Sequence, residues 1–148
     1  MRNRFQPILS ILFIGAIVLN FYSIQAQTTW YNYQTTNQVR IDYSDPVNCN
    51  FSEGEVQMEY IFLKFSNLTN IAVNISYRVE YYYVGTGCAT CTNNEYIYTI
   101  NVPANGSITT NCDFKSAGQN KLAIFKKYIN RTNKVQFDKF EISNITIQ

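Results

Sequence analysis

Four cysteines are the residues of this chain whose spacing most clearly points to chemistry. Cys88 and Cys91 are separated by two residues, whereas Cys49 and Cys112 have no other cysteine near them in sequence. A C-x-x-C pair can serve as a catalytic dithiol, as half of a thiolate zinc site or as part of a disulfide. A catalytic dithiol needs its first cysteine at a helix N-terminus, and a four-thiolate zinc site normally needs two close pairs. We therefore expect two disulfides.

Catalysis is restricted because the sequence contains no histidine. Triads with an imidazole base and histidine-ligated zinc are thereby excluded. Carboxylates are the remaining candidates, and five of them lie near Cys49 in sequence: Asp42, Asp45, Glu53, Glu55 and Glu59. Their spacing matches no calcium loop, and a small domain has little room for the cleft in which two carboxylates hydrolyse a glycoside. We expect no catalytic residue, no cofactor and no metal, and a small carboxylate-dependent hydrolase is the least favoured alternative.

Exposed aromatic side chains are the candidates for ligand contact. Most tyrosines lie on or next to predicted strands, where the ring suits a half-buried pleated surface. Tyr82 differs, because alternation places it on the solvent face of its strand. A second group lies near the start of the predicted domain: Trp30, Tyr31 and Tyr33. These four rings are candidates for stacking on a glycan, although contact with a partner protein or a covered sheet edge is the favoured interpretation.

The segment Val73–Tyr83 fixes the fold class, because its apolar and polar residues alternate without a break. Comparable strand signals follow one another at short intervals, at Val39–Tyr43, Val56–Phe65, Glu95–Val102, Ser107–Asn111, Leu122–Tyr128 and Val135–Ile147, with a further segment at Trp30–Tyr33. Helical periodicity is lacking throughout. The sequence therefore predicts an all-β fold, an antiparallel immunoglobulin-like β-sandwich of six to eight strands that forms a single domain over residues 27–148.

Two strands have apolar residues that change faces partway along. Val56, Met58 and Tyr60 lie on one face, but Ile61 and Leu63 lie on the other, and the last strand shows similar phase changes. These patterns predict bulges, or a strand that passes between sheets.

The predicted strand order brings the four cysteines to one end of the sandwich. Adjacent strands favour Cys49 with Cys88, and Cys91 with Cys112. The alternative pairs Cys88 with Cys91, and Cys49 with Cys112. Both arrangements give a similar total stabilisation in the chain-entropy model, so that only strand adjacency distinguishes them.

The N-terminus has the pattern of a cleavable signal peptide over residues 1–26. Arg2 and Arg4 precede an apolar run from Ile8 to Leu19, and cleavage is expected after Ala26. The run is shorter than the roughly 20 apolar residues that span a bilayer. We expect a secreted protein, extracellular or periplasmic, without a transmembrane segment in the mature chain.

Signal-peptide removal leaves a neutral chain, since two of the twelve basic residues are lost and all ten acidic residues stay. This balance gives no support to nucleic-acid binding, which needs a net basic surface. The remaining charges are uneven, because seven basic residues lie in the second half: Lys115, Lys121, Lys126, Lys127, Arg131, Lys134 and Lys139. They form either solvated faces or a surface for an acidic partner or glycan.

A series of motifs also carries a family resemblance. They are an Asn-Leu-Thr-Asn turn before a long strand, a Gly-Cys-x-x-Cys loop before Glu95-Tyr96, a Pro-Ala-Asn-Gly-Ser turn followed by Cys112, a Leu122-x-Ile124-Phe125 segment, and a closing Phe137-x-x-Phe140-Glu141-Ile142-x-Asn144-Ile145 segment. From about residue 39 to residue 148 the chain resembles small exported β-sandwich proteins of the Bacteroidota. The resemblance implies an envelope or extracellular location and carries no known activity.

Together these observations predict a secreted, non-enzymatic binding or accessory module. Its expected partner is a protein or a glycan at the cell surface. A carbohydrate-binding module that uses exposed aromatic residues is the alternative.

Overall fold

Ten strands make up most of the computed structural model, which describes residues 28–51, 56–113 and 119–148. In chain order they are β1 Trp30–Thr35, β2 Val39–Ser44, β3 Val47–Phe51, β4 Val56–Asn67, β5 Val73–Tyr83, β6 Gly87–Cys88, β7 Ile97–Val102, β8 Ser107–Ile108, β9 Ala123–Tyr128 and β10 Phe137–Ile147, with 3-10 turns at Asn94–Tyr96 and Gln119–Leu122. The predicted signal peptide lies outside the described residues. In the described ranges, no helix has the length and apolar character needed to cross a membrane.

The strands form two antiparallel sheets, which confirms the predicted all-β class. In the first sheet β4 is central: β2 and β3 pair with one edge of it, β8 and β9 pair with the other, and β1 lies beyond β2. In the second sheet β5 is central, with β10 on one side and β6 and β7 on the other. Sequence reading missed β3 and β6.

The core lies between β4 and β5. Alternate side chains of both strands are completely or almost completely buried, and Phe65 and Tyr77 meet across the sheets with ring centroids 4.7 Å apart. The Tyr77 hydroxyl donates a hydrogen bond of 2.7 Å to the carbonyl of Lys121, so its polar end is satisfied inside the fold. Burial raises the pKa of Tyr77, which therefore stays neutral.

Strand β4 is apolar on both faces, which explains its change of phase. Ile61 and Phe65 face the core, whereas Phe62 is 4% exposed although it points away from β5. Strand β4 pairs with β3 without a break. The bulge lies instead in β9, on the other edge of β4, where Lys126 is the extra residue opposite Glu59 and Tyr60. The bulges predicted for β10 are confirmed by register shifts between Phe137 and Lys139 and between Ser143 and Thr146.

The disulfides join Cys49 to Cys112 and Cys88 to Cys91, with Cα–Cα distances of 5.3 and 5.8 Å. Two disulfides were predicted, but the favoured pairing of Cys49 with Cys88 and of Cys91 with Cys112 is wrong. The physical reason is β3, which places Cys49 beside Met58 in the first sheet, whereas Cys88 pairs with β5 in the second. Cys49 is completely buried, and its bond holds the segment after β8 to the first sheet.

Asn67 joins the β4–β5 turn to the β7–β8 turn, at the opposite end of the sandwich from Cys49. Its buried side-chain amide donates hydrogen bonds to the carbonyls of Ile71, Val102 and Pro103, at 2.6, 3.2 and 3.1 Å. Its oxygen accepts from the backbone N–H and the hydroxyl of Thr69, at 2.9 and 2.8 Å. One side chain thus fixes both the β4–β5 turn and the β7–β8 turn.

We predict that Asn67→Ala lowers the free energy of unfolding by about 2 to 4 kcal/mol, since three carbonyls, including that of the buried Val102, lose their donor. Urea unfolding measures the change. Asn70→Ala, at an exposed position of the same turn, is the control and should cost little. Equal stability of the two variants would refute the structural role of Asn67.

We also predict that the disulfides differ in what they contribute. Cys49 and Cys112 are 63 residues apart, and Cys88 and Cys91 are 3 apart, so the chain-entropy model gives about 4 kcal/mol for the first bond and about 2 kcal/mol for the second. Urea unfolding of the double variants Cys49→Ala/Cys112→Ala and Cys88→Ala/Cys91→Ala tests this order. A larger loss from removing Cys88 and Cys91 would contradict it.

Candidate functional site

The four aromatic candidates contact different parts of the molecule. Trp30 is half-buried, and the ammonium group of Lys64 lies 4.6 Å from the centre of its ring. Tyr31 is 41% exposed and its ring centroid lies 5.5 Å from that of Tyr43. These neighbours in β1 therefore present their rings to different surroundings.

Tyr33 connects the two sheets. Its ring stacks on Phe140 of β10 with centroids 5.9 Å apart, and its hydroxyl accepts a 2.8 Å hydrogen bond from the backbone N–H of Ile142. Strand β10 is at the edge of its sheet, so the Tyr33 hydroxyl satisfies a backbone group that would otherwise be open to pairing. The structure thus gives Tyr33 a role in closing the sandwich.

Tyr82 is half-buried in a polar cluster on the outer face of the second sheet, formed with Glu80, Lys139 and Glu141. Its hydroxyl lies 3.1 Å from Glu80 Oε2 and 3.3 Å from Glu141 Oε2, and Lys139 Nζ lies 4.6 Å from its ring centre. Cys91 Sγ is 3.8 Å from the same hydroxyl. Desolvation and the two carboxylates raise the pKa of Tyr82 to about 12.

Two of the carboxylates near Cys49 in sequence, Asp42 and Glu59, have cationic neighbours. Asp42 is 1% exposed and Arg40 Nε lies 2.7 Å from its Oδ1. Glu59 is 8% exposed and contacts two lysines. Asp45 is exposed, and Glu53 and Glu55 lie outside the described residues. Asp42 and Glu59 therefore have structural partners.

A concave surface that the sequence did not locate lies where β9 leads into β10. We call it the basic groove. A cavity of 490 Å³ and an adjoining one of 260 Å³ share part of their lining, which comprises Tyr83, Phe125, Lys126, Lys127, Tyr128, Thr132, Asn133, Lys134, Val135, Gln136 and Phe137. Aromatic contacts form part of its wall, with centroids of Phe125 and Tyr128 5.0 Å apart and those of Tyr83 and Phe137 6.5 Å apart.

Hydrogen bonds fix the loop that borders the basic groove. Asn133 accepts from the backbone N–H of Tyr128 through Oδ1 and donates to the Tyr128 carbonyl through Nδ2, both at 2.8 Å. At the two ends of the loop, the N–H of Ile129 donates to the carbonyl of Gln57, and that of Val84 donates to the carbonyl of Gln136. The loop is therefore held by its own hydrogen bonds and by bonds to Gln57 and Val84.

Three lysines give the groove its charge. Lys126 Nζ lies 2.7 Å from Glu59 Oε1, and Lys127 Nζ lies 3.4 Å from Oε2. Burial by itself raises the pKa of Glu59, but the hydrogen bond and charge of Lys126, together with Lys127, outweigh it and lower the pKa. Lys134 is exposed at the rim. Three ammonium groups against one carboxylate leave a net positive surface.

The basic residues singled out from the sequence thus separate into several environments. Lys126, Lys127 and Lys134 come together in the groove, and Arg131 is exposed in the loop beside it. Lys121 Nζ donates to the carbonyl of Thr99 on β7, and Lys139 pairs with Glu141. Lys115 lies outside the described residues. Charge asymmetry along the chain was the signal for this surface, but it did not show which lysines converge.

Comparisons with known proteins give no match: neither a protein-family model, nor a curated protein, nor a solved structure matches this chain. A functional proposal for it must therefore come from the groove and the polar cluster themselves.

The lowered pKa of Glu59 predicts a specific pH dependence of stability. A carboxyl whose folded pKa lies below its ordinary value of 4.5 adds stability above that pH, and this stability is lost as the pH falls through the folded pKa. We expect Glu59→Gln to cost about 1 kcal/mol at neutral pH and progressively less towards about pH 3.

Urea unfolding at neutral and acidic pH measures that difference. The exposed Glu95→Gln is a matched control, for which we expect little change at either pH. If Glu59→Gln lowered the free energy of unfolding by the same amount at both pH values, the electrostatic role of Glu59 would be contradicted.

Proposed function

We propose that this protein is an exported, non-enzymatic binding module whose basic groove holds an acidic segment of a partner protein at the cell surface. The observation that carries the proposal is the convergence of Lys126, Lys127 and Lys134 on a concave surface with aromatic walls. Carboxylate side chains of a peptide complement this charge, and its apolar side chains fit against the rings.

The fixed shape of the groove supports a binding role. Ordering a loop on association costs free energy, and the Asn133 hydrogen bonds remove much of that cost in advance. Charged rim residues such as Lys134 contribute mainly to the association rate and to discrimination between partners. We therefore expect binding that weakens as the salt concentration rises.

Export is proposed on two grounds. The two disulfides are typical of proteins that fold in oxidising compartments, and residues 1–26 have the pattern of a signal peptide. The architecture supports an immunoglobulin-like assignment, since the strands occupy four positions in one sheet and three in the other. Such a fold agrees with the sequence resemblance to exported Bacteroidota β-sandwich proteins.

Carbohydrate binding through aromatic residues is the second candidate, and Tyr31 is the observation that favours it, because 41% of this residue is exposed. Lysines lie over one face of Trp30 and of Tyr82, and Tyr33 stacks on Phe140. These three rings have less surface to offer a sugar, so the groove is the favoured site.

The test is fluorescence anisotropy with a labelled oligo-glutamate peptide as the probe. We expect saturable binding to the mature chain, weakened about tenfold in a Lys127→Gln/Lys134→Gln double variant, which corresponds to about 1.4 kcal/mol. Lys126 is kept so that Glu59 retains its ion pair. Lys139→Gln removes a lysine from the polar cluster and is the control, for which we expect unchanged affinity.

Unchanged affinity in the double variant would refute the groove assignment. Tighter binding of polygalacturonate than of the peptide, lost in Tyr31→Ala, would replace the protein partner with a glycan.

A further inference from the structure

The loop between β5 and β7 carries Cys88 and Cys91 over the outer face of the second sheet. Both cysteines are half-buried, whereas in the other disulfide Cys112 is half-buried and Cys49 is completely buried. A thiol reductant has to reach a sulfur atom to open a disulfide. The Cys88–Cys91 bond therefore offers a reductant two half-buried cysteines, against one in the Cys49–Cys112 bond.

Hydrogen bonds of the Arg78 side chain and the Tyr81 backbone of β5 hold this loop without involving the disulfide. Arg78 is 7% exposed and donates hydrogen bonds to the carbonyls of Asn93, at 2.9 Å, and Thr90, at 3.4 Å. The Thr90 hydroxyl accepts from the N–H of Tyr81, and the N–H of Ala89 donates to the Tyr81 carbonyl. These contacts do not involve sulfur, so opening the disulfide breaks none of them.

A third metal-binding group lies against the two sulfurs. Ligand atoms of Glu80, Cys88 and Cys91 all lie within 4.8 Å of one another, and all three residues are half-buried. In a tetrahedral zinc site two thiolates lie about 3.8 Å apart, at a zinc–sulfur distance of about 2.3 Å. The C-x-x-C spacing is also that of a zinc-ligand pair. Small side-chain rotations thus bring the three groups to coordination distance once the sulfurs separate.

We propose that the reduced Cys88–Cys91 pair and Glu80 form a redox-controlled site for a thiophilic divalent cation such as Zn²⁺, with a water molecule in the fourth position. A dithiol reductant supplies two electrons: the sulfur–sulfur bond breaks, two thiols form and the reductant leaves as its own disulfide. The cation then displaces one proton from each thiol to solvent. A disulfide oxidant takes the two electrons back and leaves as two thiols, the Cys88–Cys91 bond forms again, and the cation is released because it has lost both thiolate ligands.

The surroundings of Glu80 are suited to a metal ligand. Glu80 Oε1 accepts a hydrogen bond from the Ser143 hydroxyl, and Oε2 accepts one from Tyr82, which together orient the carboxylate. Hydrogen-bonded carboxylates are typical of metal sites, where such contacts fix the ligand. With two thiolates and one carboxylate the site carries three negative charges, which a divalent cation largely balances.

Cobalt absorption spectroscopy tests the proposal. The mature chain is treated with dithiothreitol, freed of it under nitrogen and titrated with Co²⁺ as the probe. We expect two thiols and one bound Co²⁺ per chain, with thiolate-to-cobalt charge-transfer and tetrahedral d–d bands, and displacement by Zn²⁺. The oxidised protein should show neither band.

Variants identify the ligands. Cys88→Ala/Cys91→Ala should abolish the bands, and Glu80→Gln should weaken Co²⁺ binding at least about tenfold. Glu95→Gln, an exposed carboxylate close to the same loop, should leave the affinity unchanged. The proposal is wrong if the reduced protein binds no Co²⁺, if the bands persist without Cys88 and Cys91, if Glu80→Gln has wild-type affinity, or if all four thiols appear together.

Discussion

Phe65 of β4 and Tyr77 of β5 are both completely buried and face each other across the sandwich, with ring centroids 4.7 Å apart. Burying such a pair is favourable in proportion to the apolar area removed from water, and the Lys121 carbonyl satisfies the one polar group that is buried with it. The other strands are arranged around this contact. Each central strand is paired on both edges, so the backbone groups of β4 and β5 are covered along most of their length.

The disulfide-bonded segments and the basic groove lie outside that core. Cys112 is tied to the first sheet through Cys49, and the Cys88–Cys91 loop lies over the second sheet above Arg78. The basic groove is at an end, where the loop from β9 to β10 is closed by side-chain hydrogen bonds of Asn133. Each candidate site therefore combines strand residues, Lys126 and Lys127 of β9 or Glu80 of β5, with a loop that the rigid scaffold positions.

The alternation of apolar and polar residues predicted both ends of strand Val73–Tyr83 correctly, because a half-buried strand must place every second side chain in the core. The short strand Val47–Phe51 was missed, since it follows a proline and carries asparagines on alternate positions. That omission caused the wrong disulfide pairing, because the sheet to which Cys49 belongs decides its neighbours. The alternation of apolar and polar residues also predicted that Tyr82 lies on the outer face of its sheet. It did not predict the loop that half-covers Tyr82, because alternation carries no information about tertiary contacts.

We infer that the β4–β5 core carries the fold, while the loop that holds Cys88 and Cys91 is an independent attachment. Native-state hydrogen exchange of the oxidised chain, and of the chain with Cys88 and Cys91 reduced, tests it most directly. We expect the amides of residues 61–65 and 75–79 to be the slowest in both forms and to exchange only by global unfolding, while reduction accelerates exchange only around residues 84–94. Loss of protection in residues 75–79 on reduction would contradict it.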